Sequence, residues 1–176
     1  GDMRAYIFLI VTGLTITSSA VFGQSVSENR VSQNTDWSVF SESSPKECWA
    51  VAAPKETVNK KDNRVVSVKR SDILFMVTYQ PAKSVEGQVS FTGGYPFAKG
   101  SKVNLNIDGT KFDLLTVDEW AWPDSKAMDT KVVAAMKRGK TAILTAKSSL
   151  GTVTRDTFSL LGFTAAVEDA AKRCDG

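Results

Sequence analysis

Val103-Asn104-Leu105-Asn106-Ile107-Asp108-Gly109-Thr110-Lys111-Phe112-Asp113-Leu114 is the stretch whose reading decides the fold. Val103, Leu105 and Ile107 alternate with asparagines, and after Asp108-Gly109 the apolar Phe112 and Leu114 alternate with Lys111 and Asp113. Alternation at period two is the mark of a strand with one buried face. Asp-Gly between two such runs is the signature of a two-residue hairpin loop. That loop pairs 107 with 110, 105 with 112 and 103 with 114. Every apolar residue then shares one face with its partner, so turn chemistry and burial select the same register.

Working outward, further β-branched and aromatic runs are bounded by turn residues. Trp37 to Phe40 begins the ordered region, and Glu42 to Lys46, with Pro45, makes a turn. Cys48 to Ala53, Arg64 to Lys69, Ile73 to Tyr79, Gly87 to Thr92, Thr141 to Ala146 and Thr152 to Leu160 read as strands. Lys55 to Asn63 reads as a charged loop. Two helices are expected: one capped by Asp129, burying Val132, Val133 and Met136 and stopped by Gly139, and one from Ala165 to Arg173 capped by Thr164. Short strands at close spacing, without alternating helices, predict a β-sandwich or barrel and argue against a parallel α/β fold.

The chain opens with the three parts of a secretory signal peptide, residues 3–23. These are the basic Met3-Arg4, a mostly apolar run from Ala5 to Ile16, and small residues for cleavage after Ala20 or Gly23. The run is shorter than the about 20 residues of a comfortable membrane span; an uncleaved anchor is the alternative. Gly1-Asp2 stand before the natural-looking start. Residues 24–35, rich in Ser, Asn and Gln, read as a flexible arm, and residues 36–176 as a single β-sandwich domain. The expected mature protein has no membrane span.

Export places the two cysteines, Cys48 and Cys174, where disulfides form and persist. Two are too few for a thiolate metal site and too distant for a Cys-x-x-Cys redox pair, so they read as one structural bridge. The chain contains no histidine, which removes the usual general base, the imidazole-dependent triads and the commonest zinc ligand. A net charge of +3, spread along the chain, gives no nucleic-acid footprint. Lys60-Lys61, Lys69-Arg70 and Lys137-Arg138-Lys140 read as solvated surface.

Gly139-Lys140-Thr141 imitates the end of a phosphate-binding loop but lacks the upstream glycine and follows a helix. A glycosidase-like pair assembled from Asp118, Glu119, Asp124, Asp129 or Asp156 is conceivable, yet nothing selects two of them. Trp120 and Trp122 face the same way if the chain is extended through Ala121 and ends at Pro123. They read as strand-end packing first, and second as a contact patch, with Pro123, for a partner or a sugar. Trp37 and Trp49 are assigned to the core. The glycines and proline of Gly93-Gly94-Tyr95-Pro96-Phe97 read as a shaped turn whose aromatics pack down.

Several of these segments, in order, resemble the invasion-associated locus B family of exported bacterial proteins. They are Gly94-Tyr95-Pro96-Phe97 with Gly100-Ser101, Ala121-Trp122, Val133 to Gly139, Gly151-Thr152, Asp156 to Leu160, Gly162 to Ala166, and the terminal Cys174. The resemblance covers about Trp37 to Cys174. It implies an immunoglobulin-like β-sandwich of about seven to nine short antiparallel strands with one or two short helices. It also implies a Gram-negative periplasmic, secreted or outer-surface protein, linked in pathogenic members to entry into host cells such as erythrocytes. No catalytic residue, metal or cofactor carries over. The expected function is binding of a protein partner in the envelope or on a host cell, through an exposed strand edge or the Trp120–Pro123 region. The alternative is a periplasmic chaperone-like or small-ligand binding module.

Overall fold

The computed structural model describes residues 29–175. The expected leader and residues 24–28 of the expected arm lie outside them. The hairpin at the centre of the sequence reading is formed by β8 (Lys102–Ile107) and β9 (Thr110–Val117). Its register is Ile107 with Thr110, Leu105 with Phe112 and Val103 with Leu114. Asp108 and Gly109 both have positive φ, 48° and 97°, as a type I′ turn requires. Asp108 also accepts the N–H groups of Lys140 at 2.7 Å and Thr141 at 3.2 Å, which pins the turn to the chain entering β11 (Thr141–Lys147).

The fold is mainly β: the described residues form twelve antiparallel strands in one sheet, with two α-helices. The remaining strands are β1 (Arg30–Asn34), β2 (Trp37–Ser43), β3 (Lys46–Ala52), β4 (Glu56–Lys61), β5 (Arg64–Val65), β6 (Leu74–Gln80), β7 (Val85–Thr92), β10 (Trp120–Trp122) and β12 (Val153–Ser159). Hydrogen bonding runs unbroken in the order β1-β2-β3-β6-β7-β10-β9-β8-β11-β12-β4-β5. The count exceeds the seven to nine expected, for identifiable reasons. Residues 30–34, assigned to a flexible arm, pair with β2. Residues 56–61, assigned to a charged loop, pair with β12. Both are polar because they stand at or beside the sheet's ends, where pairing and not burial holds a strand. Conversely, the run from Arg64 to Lys69 keeps strand geometry only over Arg64–Val65.

The sheet folds over on itself. Phe75 of β6 meets Phe158 of β12 with ring centroids 5.4 Å apart, although five strands of the order lie between them. Trp37 donates its indole N–H across the same gap to the carbonyl of Ser159 at 2.9 Å. Trp37 is fully buried, as expected. Trp49 is not in the core: Cys48, Ala50 and Ala52 take the inward positions of β3, so Trp49 points outward and stacks on Phe40 at 5.5 Å.

Helix α2 (Phe163–Arg173) lies on the inward face of β2 and β3. Its Ala166 and Ala170 are small enough for close approach, while Phe163 packs edge-on against Trp37 at 4.9 Å. Cys174, just past its end, is bonded to Cys48 on β3, so one bridge spans a sequence separation of 126. The expected cap does not hold: Gly162 starts the helix at φ 87°, and the Thr164 hydroxyl instead donates to Lys137 O. Helix α1 (Lys126–Arg138) starts earlier than expected, capped by Ser125, whose Oγ accepts from Met128 N at 3.1 Å. Asp129 has another task. It accepts the Val89 N–H at 2.9 Å, satisfying β7 beyond the three-residue reach of β10.

Candidate functional site

Strand β10 is held between β7 and β9, and its register settles where its tryptophans point. Trp120 lies opposite Val117, Ala121 opposite Thr116 and Trp122 opposite Leu115. Ala121 is fully buried, so residues on either side of it turn outward. Trp120 and Trp122 thus stand on the outer face, each half-buried, with near-parallel rings (22°) and centroids 6.5 Å apart. Leu115 and Val117 share that face and are 45% and 60% exposed. Four apolar side chains on two neighbouring strands therefore form one exposed strip. Pro123, grouped with the two tryptophans from sequence, is buried and offers no contact surface. Leu115 and Val117 were missed; the doubled Leu114-Leu115 was the available signal, since one of two adjacent strand residues must face outward.

The carboxylates of the sequence reading do not converge on one site. Asp118 and Glu119 form the exposed turn between β9 and β10, and Asp124 is exposed beyond Pro123. Asp129 is committed to Val89. Asp156 is fully buried on the inward face of β12, where Arg70 grips it: Nη1 to Oδ1 at 2.7 Å and Nη2 to Oδ2 at 2.6 Å. Arg70 also donates through Nε to Gly93 O at 2.8 Å and through Nη1 to Asn59 Oδ1 at 3.1 Å. Its guanidinium carbon lies 5.1 Å from the centre of the Tyr95 ring, and the Tyr95 hydroxyl is hydrogen-bonded to Thr154 Oγ1.

Arg70 is thus an internal clasp and not the solvated charge expected of Lys69-Arg70. Burial pushes the Asp156 carboxyl up, with Arg70 pulling against it, and burial likewise raises the Tyr95 hydroxyl. Among the described residues no buried side-chain polar atom lacks a hydrogen-bond partner. The cluster is saturated, which suits a structural role. The signal for it was in the alternation of Thr154, Asp156 and Phe158, which places a carboxylate on a core-facing position that demands a counter-charge. Beside it an apolar recess of about 110 Å³ opens between Tyr95, Val68 and Leu150.

A larger cleft of about 620 Å³ lies between the end of α2 and the 3₁₀ turn Pro81–Lys83, with Tyr79, Glu86 and Lys172 on its walls. Among the described residues no three His, Cys, Asp or Glu side chains cluster as metal ligands. No described helix is long and apolar enough to cross a membrane.

The model of one protein family, Invasion associated locus B (IalB) protein, matches residues 37–171. The chain belongs to the invasion associated locus B family. The matched span opens at the buried Trp37 and closes inside α2, so it takes in β2 through β12 and the β9–β10 face. A crystal structure of invasion associated protein b from Bartonella henselae is similar in fold. Its TM-score is 0.52 at 18% sequence identity, over 80% of this chain and 95% of that one. Among curated proteins, none matches the sequence. For an IalB-family chain, the two features that stand out in this structure are the outward Trp120–Trp122 strip and the Arg70–Asp156 clasp. The strip is exposed and the clasp is saturated.

Proposed function

We propose that this chain is an exported, non-enzymatic envelope protein of a Gram-negative bacterium, periplasmic or on the outer surface, that works by binding a protein partner. Residues 3–23 act as a cleaved signal peptide, and the Cys48–Cys174 bridge suits an oxidising compartment. The folded sheet serves as an elaborated immunoglobulin-like sandwich. Its biological use is host-cell invasion, with erythrocytes as the target cell, or binding within the cell envelope. The crystal structure with the similar fold carries the invasion-associated name.

The observation that carries the reading is the exposed strip of Trp120, Trp122, Leu115 and Val117. Contiguous exposed apolar patches on otherwise well-buried proteins mark contact sites, and tryptophan is enriched among residues that dominate binding energy. The test is capture from envelope extract and from erythrocyte membranes by the mature protein, with Trp122→Ala as control. Specific capture from either fraction, lost in the control, is the expected result. Capture from neither sinks the reading; capture untouched by the substitution moves the contact surface elsewhere.

The 620 Å³ cleft favours a second reading, a small-ligand or chaperone-like module, since its volume falls within the usual range of ligand pockets. A ligand that raises the unfolding midpoint and loses that effect in Tyr79→Ala would support it.

A further inference from the structure

The structure assigns a chemistry to the partner: we propose that the outer face of β9 and β10 docks an extended, basic, aliphatic-rich segment of another protein. The inference rests on the binding reading above and goes beyond it by specifying charge and shape.

Between Asp113 and Asp124 the chain carries four carboxylates, Asp113, Asp118, Glu119 and Asp124, and no lysine or arginine, in a protein whose net charge is +3. All four are exposed. Their placement follows the register. Asp118 and Glu119 form the turn at the end of the strip where Trp120 faces Val117, and Asp113 and Asp124 follow at the other end, beyond Leu115 and Trp122. An apolar strip is therefore bracketed by two carboxylates at each end. From Asp113 to Asp118 is five residues along a strand, about 17 Å. That length fits an extended segment of five or six residues with aliphatic side chains in the middle and cations near its ends.

The face excludes other modes. Strand β10 is paired on both sides, so no backbone edge is open there and recognition runs through side chains. Indole faces beside carboxylates attract lysine and arginine by cation–π and Coulomb attraction together. An anionic lipid surface would be repelled by the same four charges. Lys102, opposite Leu115 on β8, and the exposed Lys111, two residues before Asp113 on the same face of β9, offset the carboxylates at that end. The strip is thus most acidic at the Asp118–Glu119 turn, where an approaching cation is drawn.

The test uses the oxidised mature protein and two labelled synthetic peptides, one with lysines flanking a central run of leucine and valine and one with glutamates in place of those lysines, followed by fluorescence anisotropy at low and high salt. Vesicles of phosphatidylserine and a neutral oligosaccharide serve as competing probes. The basic peptide should bind and weaken with salt, and the acidic one should not. Trp122→Ala should lower affinity by about tenfold or more. Asp118→Asn with Glu119→Gln, both on an exposed turn, should weaken binding and flatten its salt dependence while leaving the urea midpoint unchanged. Equal binding of the acidic peptide, undiminished binding by the neutralised variant, or preference for vesicles or oligosaccharide would overturn the proposal. If membrane capture depends on Trp122 while the basic peptide does not bind, the binding function stands and the basic partner falls. If capture is absent altogether, both fall.

Discussion

Arg70, on the connection between β5 and β6, forms a bidentate ion pair with Asp156 on β12, their side chains 6% and 0% exposed. The same guanidinium reaches Gly93, just past β7, and Asn59 on β4, so one side chain ties the β5–β6 connection to β12, to β4 and to the chain leaving β7. Breaking such a pair strands a charge in a low-dielectric site, which costs more than the pair itself contributes. Arg70→Ala should destabilise the fold by about 3–5 kcal/mol, while replacing both partners with apolar residues, Arg70→Met and Asp156→Leu, should recover much of the loss. Urea denaturation of the two variants decides it. A loss below about 1 kcal/mol for Arg70→Ala would mean that the pair behaves as a solvated surface bridge.

Asp129 predicts a pH dependence with a definite sign. Burial pushes its carboxyl above the ordinary carboxylate range, and the Val89 N–H it accepts pulls it part of the way back. A carboxyl raised in the folded state holds its proton more tightly there than in the unfolded chain. Its ionisation therefore erodes stability as pH rises from the ordinary carboxylate value through the raised one. Asp129→Asn keeps an acceptor for Val89 and removes the titration. The variant should gain on the wild type across that window, and the two stability curves should converge below it. Curves that stay parallel from acid to neutral pH would remove Asp129 from the account.

The Cys48–Cys174 bridge closes a loop with a sequence separation of 126. On the chain-entropy model, opening a loop of that order costs roughly 4–5 kcal/mol. Cys48→Ala with Cys174→Ala should lower stability by that amount, and the oxidised wild type should run as a monomer on a non-reducing gel. Because Cys174 sits at the end of α2, hydrogen exchange in α2 should rise first. Uniform loosening of the hairpin β8–β9 instead would contradict this arrangement.

Gly162 and Gly109 both have positive φ, 87° and 97°, but their surroundings differ. A Cβ on Gly162 would lie 1.8 Å from Asn34 O, where β1 passes the start of α2, whereas nothing lies within 4 Å of one on Gly109. Gly109→Ala should cost only the left-handed penalty, about 1–2 kcal/mol. Gly162→Ala should cost about 3–5 kcal/mol, because backbone must also move. Equal losses would show that the approach of Asn34 is loose.

Much of the β8–β9 hairpin was legible because its information is local. The partner of each strand lies two residues away, and period two, Asp-Gly and the inward apolar set agree. The strands β2, β3, β6, β7, β11 and β12 were legible for the same reason, as runs with a buried face. Strands β1 and β4 were hidden because their partners, not their composition, hold them: Ser32 donates to Asp169 on α2, and Asn59 is polar because Arg70 needs an acceptor. The outward placement of Trp49, Leu115 and Val117 likewise follows from which neighbours face inward, a choice made by the whole sheet.

The amino-acid pattern thus settles the β class and the hairpin register, since both rest on contacts between chain neighbours and on the two-residue period of a strand. The absence of histidine chemistry is equally plain from composition. The folding of twelve strands into one bent sheet, the burial of Arg70 against Asp156 and the gathering of Trp120, Trp122, Leu115 and Val117 into one exposed strip depend on contacts between distant parts of the chain. Such contacts form only when loop-closure entropy is overcome by burial shared across the molecule, and no local run of residues carries that balance.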